Sequence, residues 1–191
     1  MTAGPARADG DPASDVLASQ PLFLPSDAGV PAAQQAQIGG LIAVAARSGY
    51  RVRVAMLASP ADLGSVGALW QQPENYARFL GQELSLVYQG PLLVVMPRGY
   101  GVYRGGAAAL SGLGPPGAAL GSGTLAAVQR LAAAAGHPVA VPSVAPRAAP
   151  GSSDVLPWLV FALGALLIAV AWSASLRARP LALGRRAPGM Q

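Results

Sequence analysis

RVRVAML at residues 51–57 and GPLLVVM at residues 90–96 decide the fold. In the first stretch Arg51 and Arg53 alternate with Val52, Val54 and Met56, the period-two pattern of a half-buried strand. In the second, Leu92 to Met96 are apolar without alternation, as in a strand covered on both faces. Between them Asp62 is placed to cap a short helix reaching about Trp70. Pro73 and Glu74 then open a second helix, PENYARFLGQEL. Its buried stripe is Tyr76, Phe79, Leu80, Leu84 and Val87, Glu74 and Arg78 form an i,i+4 pair, and Gly90 is the stop. Strand, helices and strand make a βαβ unit, long enough for parallel pairing and expected to be right-handed.

Working outward, Pro97-Arg98-Gly99 is a turn and residues 100–104 a returning strand. Upstream, Pro31 opens a helix capped by Asp27 or a neighbour, with Ile38, Leu41, Ile42 and Ala45 on one face and Ser48-Gly49 at its end. Downstream, residues 105–123 read as a Gly/Ala/Pro-rich loop. Residues 124–135 form a last helix, with Leu125, Val128 and Leu131 inward and Gly136-His137-Pro138 as its stop. Residues 1–20 are a flexible lead-in, and residues 137–154, HPVAVPSVAPRAAPGSSD, are a Pro-rich extended tether. The fold class expected is α/β: a three-layer α/β/α sandwich with a small mixed sheet.

Residues 155–176 contain no charged side chain. As a helix they span about 33 Å, enough for a hydrocarbon core of about 30 Å. Trp158 and Trp172 stand near the two ends, where the membrane interface favours them. Arg177, Arg179, Arg185 and Arg186 follow, forming a basic tail over 177–191. The positive-inside rule places that tail in the cytoplasm and the preceding domain outside. Residues 1–20 hold no apolar export segment, yet Ala6-Arg7-Ala8 before Asp9-Gly10-Asp11 has the form of a signal-peptide cleavage end. A hydrophobic leader upstream of Met1 is therefore expected.

Across 191 residues, 13 basic side chains against 8 acidic ones give a net charge of +5. Every basic residue is arginine, and the four arginines after residue 176 account for most of the excess, so the charge marks topology rather than a nucleic-acid footprint. Only 11% of residues are charged, against about 25% in average soluble domains. There is no cysteine, which excludes disulfides and thiol catalysis. The partners expected are the lipid bilayer and another envelope or membrane protein, with no nucleic acid.

Asp27-Ala28-Gly29-Val30, Tyr76-Ala77 and Gly90 with Leu92-Leu93-Val94-Val95, followed by a last helix, a Pro-rich linker and one apolar segment, resemble the TPM domain family over about residues 21–136. That family includes extracytoplasmic, membrane-anchored bacterial proteins, a thylakoid-lumen protein of plants and a receptor-accessory protein of worms. The resemblance implies the α/β/α sandwich. It also implies, from some members, acid phosphatase activity with a bound metal, and Asp27 matches the family aspartate. The chain departs from the pattern in three places. Pro31 replaces an apolar residue, Arg98-Gly99-Tyr100 stands where acidic residues often follow the central strand, and a Gly/Ala-rich segment follows Tyr103.

Candidate sites follow from side-chain chemistry. Asp27 is the candidate ligand for a divalent cation, set against its reading as a turn and capping residue. Asp62 is likewise read as a cap, and a calcium site needs several converging oxygens. His137, the one histidine, sits at a helix end where an imidazole meets terminal carbonyls. SGLGPPGAALGSGT at 111–124 precedes a helix as phosphate loops do, but lacks the Walker lysine and reads as a plain loop. Arg51, Arg53, Arg98, Tyr100, Tyr103 and Arg104, with Tyr50, gather at neighbouring strand ends as a partner or anionic-ligand surface, set against a solvated edge with snorkelling arginines. The function expected is a membrane-anchored binding or accessory module at the cell envelope. The alternatives are a metal-dependent acid phosphatase and a C-terminally anchored protein with a cytosolic domain.

Overall fold

The computed structural model describes residues 10–143, whose strands β1 (Leu22–Phe23), β2 (Arg53–Met56), β3 (Leu92–Met96) and β4 (Gly99–Tyr103) form one sheet in the order β1-β2-β3-β4. β1, β2 and β3 run parallel, and β4 returns antiparallel to β3 through the Pro97-Arg98 turn. The small mixed sheet with helices bears out the α/β expectation.

Strand alternation sorts the side chains onto two faces. Val54 and Met56 of β2 and Leu93 and Val95 of β3 join one core cluster with α2 (Ala32–Arg47) and α4 (Leu120–Ala134). Ala55, Leu92, Val94 and Met96 join the opposite cluster with α1 (Pro12–Leu17) and α3 (Pro73–Glu83). All five residues of β3 are buried, which explains its unbroken apolar run. Each fully buried Leu or Val side chain contributes roughly 1.5–3 kcal/mol relative to exposure. Ile38, Leu41, Ile42 and Ala45 are the buried face of α2, as their spacing predicts. Helix α2 connects β1 to β2 on one face and α3 connects β2 to β3 on the other, both stepping the same way across the sheet. The two crossovers therefore have opposite hands, so a right-handed rule cannot describe both.

Several boundaries are corrected. Residues 11–17 are not a flexible lead-in. Asp11 accepts the N–H of Ala13 at 3.2 Å as the N-cap of α1, Pro12 occupies the first turn, and Ala13 and Leu17 have no exposed surface. Leu17→Ala is accordingly expected to cost about 2 kcal/mol or more, as for other fully buried leucines. An unfolding midpoint unchanged by that substitution would contradict the packing. Helix α3 ends at Glu83, not near Gly90, and a 3₁₀ turn over Leu84–Leu86 changes the period. Val87 is consequently 60% exposed rather than part of the buried stripe.

The stretch expected as loop over 105–123 contains a 3₁₀ turn at Ala107–Leu110, and α4 starts at Leu120 rather than Thr124. Gly121, in the first turn of α4, faces the Gln34 side chain of α2, which a Cβ there would have to displace. The first residues expected as tether are packed on the domain. Val139 and Val141 pack against the α2–α4 cluster, and Gln129 Nε2 donates to the Val139 carbonyl at 3.1 Å. Residues 137–143 thus belong to the domain. No helix among the described residues is long and apolar enough to cross a membrane. The expected span over 155–176, with Trp158, Trp172, Arg177 and Arg179, lies outside the described residues, as do residues 1–9 and the remainder of the tether.

Candidate functional site

β4 is positioned from both sides by glycine. At Gly101 a Cβ would strike the backbone carbonyl of Pro73, so only glycine lets the start of α3 lie against the strand. At Gly81 a Cβ would enter the ring of Tyr103. This close seating carries the exposed side of α3, with Glu74 and Arg78, to the rim of β4. On the other side, the segment after β4 folds back, and Gly117 N–H donates to the Pro97 carbonyl at 3.0 Å.

Between these two walls lies a groove of about 540 Å³ along β4. Arg98 stands toward one end and Arg104 at the other, Arg78 comes from the α3 wall, and Tyr100, Val102 and Tyr103 line it from the strand. Glu74 is the one carboxylate among the lining residues. All three arginines are exposed. Among the described residues their guanidiniums make one hydrogen bond to a neutral acceptor, from Arg104 Nη1 to the Gln89 carbonyl at 3.2 Å. Arg104 also lies 5.5 Å from the centre of the Tyr103 ring. Burial raises the Tyr100 hydroxyl pKa, so that group is a neutral donor at physiological pH.

The structure divides the predicted Arg/Tyr surface. Arg98, Tyr100, Tyr103 and Arg104 share the groove. Arg51 and Tyr50 line a separate hollow of about 700 Å³ at the opposite strand ends, which Arg104 also borders. Tyr50 is buried and stacks on His137, with ring centres 6.3 Å apart. Arg53 has a packing role: its guanidinium lies 4.1 Å above the Tyr88 ring, and Nη2 donates to the Ala18 carbonyl at 3.4 Å. Burial pushes the Tyr88 hydroxyl up to about 12. Its oxygen is 2.5 Å from the Arg51 carbonyl and 2.9 Å from that of Pro91, so its one proton is shared between the segments that lead into β2 and β3.

The carboxylates do not fit a divalent cation. Asp27 is exposed in the turn closed by Ala28 N–H on the Pro25 carbonyl, and it does not cap α2, whose N-terminal residue Pro31 has no side-chain cap. Asp62 Oδ2 accepts the N–H groups of Ala58 and Ser59 at 2.7 and 2.8 Å; the N-cap of the 3₁₀ segment Pro60–Leu69 is Ser59, and Asp62, expected to be the cap itself, instead closes the capping box from the third position. Among the described residues no three His, Cys, Asp or Glu side chains group as a metal would require.

Two features escape sequence reasoning. Arg78 is part of the groove, although its i,i+4 partner Glu74 made it look like a plain helix-surface residue. Asp11 and Tyr76 form a buried pair: the Tyr76 hydroxyl lies 2.7 and 2.8 Å from the two Asp11 oxygens, and Tyr76 is fully enclosed. Desolvation raises the Asp11 pKa, opposed by the bonds from Tyr76 and Ala13. Desolvation also raises that of Tyr76, and the adjoining Asp11 charge and hydrogen bond add to it. The Asp11-Pro12 dipeptide was the available cue, since an acidic cap before proline opens helices.

No family model, curated protein or solved structure matches this chain.

Proposed function

We propose that this protein is a membrane-tethered binding module of TPM type, which holds its α/β domain outside the cell and offers the groove beside β4 to an anionic partner at the envelope. The observation that carries the binding role is the convergence of Arg78, Arg98 and Arg104 on one groove with Glu74 as its one acidic lining residue. The tether rests on the uncharged stretch at 155–176 and the arginines after it.

Fractionation tests the tether. The full chain is expected to stay with membranes through an alkaline carbonate wash, and protease added to intact cells is expected to remove the domain while sparing a fragment ending in residue 191. A chain released by the wash refutes the anchor. A domain cleaved only after lysis places it in the cytosol and refutes the orientation. Turnover of a chromogenic phosphomonoester with added magnesium or calcium, lost in Asp27→Ala, would establish the phosphatase alternative instead.

A further inference from the structure

β4 is the edge of the sheet, and the direction of its unpaired peptide groups follows from its neighbours. Leu57 N–H donates to the Val95 carbonyl at 2.9 Å, and Arg53 N–H to that of Pro91 at 3.1 Å. Odd-numbered residues of β3 therefore turn their peptide groups toward β2. Leu92, Val94 and Met96 turn theirs toward β4, where they face Tyr103, Gly101 and Gly99. The intervening residues, Tyr100 and Val102, must then direct their N–H and C=O groups away from the sheet. Among the described residues neither meets another backbone partner. These outward groups lie along the groove, between the α3 wall and the fold-back segment.

An open edge is ordinarily blunted by a charge, a proline or a bulge, because it templates pairing with another chain. β4 has no proline and no charged residue between Gly99 and Tyr103. Its arginines stand at the two ends and on the side wall. Arg98 and Arg104 lie six positions apart, about 20 Å along an extended strand. A second copy of the groove would bring arginines against arginines, which opposes self-pairing.

We infer that an extended, acidic segment of a partner protein adds to the sheet as a fifth strand along β4. It pairs with the backbone of Tyr100 and Val102, and its carboxylates meet Arg98, Arg104 and Arg78. The inference rests on the binding-module reading and names the mode and the partner chemistry. Main-chain pairing supplies affinity in such additions, while the flanking arginines select for acidic side chains.

The test uses the full chain in lipid nanodiscs and a fluorescent peptide of about nine residues, spanning about 30 Å when extended, with Val and Thr at its centre and Glu toward both ends. Anisotropy is expected to show binding that weakens as salt rises. N-methylation of alternate peptide nitrogens removes donors of one parity. One of the two methylated sets is expected to lose binding at least about tenfold and the other to retain it, because only one parity faces β4. Val102→Pro deletes an outward N–H without touching the β3 ladder and is expected to weaken binding similarly. Since the N-methyl comparison leaves the protein unaltered, it stands even if that variant fails to fold. Arg98→Ala with Arg104→Ala is expected to weaken binding and flatten the salt dependence.

Equal binding of both N-methylated sets would overturn strand addition. Equal binding of a Lys-substituted peptide would overturn the charge assignment. Absence of binding at millimolar peptide, or self-association through β4, would overturn the inference while leaving the membrane fractionation result intact.

Discussion

Tyr76→Phe is expected to destabilise the domain by about 3 kcal/mol at pH 7, the scale of breaking a buried pair and leaving one charge uncompensated. The ring is kept, so no cavity forms, and the loss isolates the hydroxyl. Without it, the Asp11 carboxylate, itself only 4% exposed, retains a single protein donor, the Ala13 N–H. Protonation relieves that burden, so the cost should shrink to about 1 kcal/mol below pH 4, where only a neutral hydrogen bond is lost. The sign follows from linkage. Desolvation raises the folded-state pKa of Asp11 above its unfolded value near 3.9. Its contribution to stability is therefore fully present below that unfolded value and is lost as pH rises through the higher folded value. Asp11→Asn should remove this pH-dependent component. Urea unfolding across pH 3.5–7.5 checks both statements. A pH-independent effect below about 1 kcal/mol would refute the pairing.

Gly101→Ala is expected to cost at least about 3 kcal/mol, at or beyond the upper end of ordinary overpacking. The added methyl would meet the Pro73 carbonyl and the Glu74 amide, which are backbone and cannot swing aside as a side-chain tip can. Relief requires α3 to move off β4, and that motion also separates Arg78 from Arg98 and Arg104. Stability and peptide binding should therefore fall together in this variant. Gly121→Ala is the internal control. Its methyl meets the Gln34 side chain, which can rotate, so a smaller loss is expected. Chemical denaturation with far-UV circular dichroism distinguishes them, and equal losses would contradict the backbone-clash argument.

The local patterns that decide the fold are legible in the chain. RVRVAML and LLVVM carry their strand character in a few consecutive residues, and Ile38, Leu41, Ile42 and Ala45 repeat at helical spacing within one window. Boundaries are less legible where a backbone change intervenes. The stripe of α3 runs on to Val87 in the sequence, yet the 3₁₀ turn after Glu83 rotates that residue outward. Residues 11–17 are polar enough to pass for a loose terminus. Their order comes from Ala13 and Leu17 finding a cavity lined by residues far along the chain. The candidate site is half legible. Arg98, Tyr100, Tyr103 and Arg104 sit close together in the sequence, on and beside one strand, whereas Arg78 joins them only because α3 is pressed onto that strand by Gly81 and Gly101. Arg51 and Arg53 are near neighbours in sequence and serve different places, since Arg51 lies before β2 and lines the separate hollow, whereas Arg53 opens the strand and packs over Tyr88.

The sequence by itself determines the α/β class, the central position of β3, the buried face of α2 and the division of charge between a nearly neutral domain and an arginine-rich end. Each depends on a local period, a run of apolar residues or a count. Only the tertiary structure decides the opposite faces taken by α2 and α3, the pairing of Asp11 with Tyr76 across 65 positions, and the meeting of three arginines beside an open strand edge. Those depend on which surfaces close-packing brings together, and packing is settled by shape and volume over the whole domain rather than by any window of the chain.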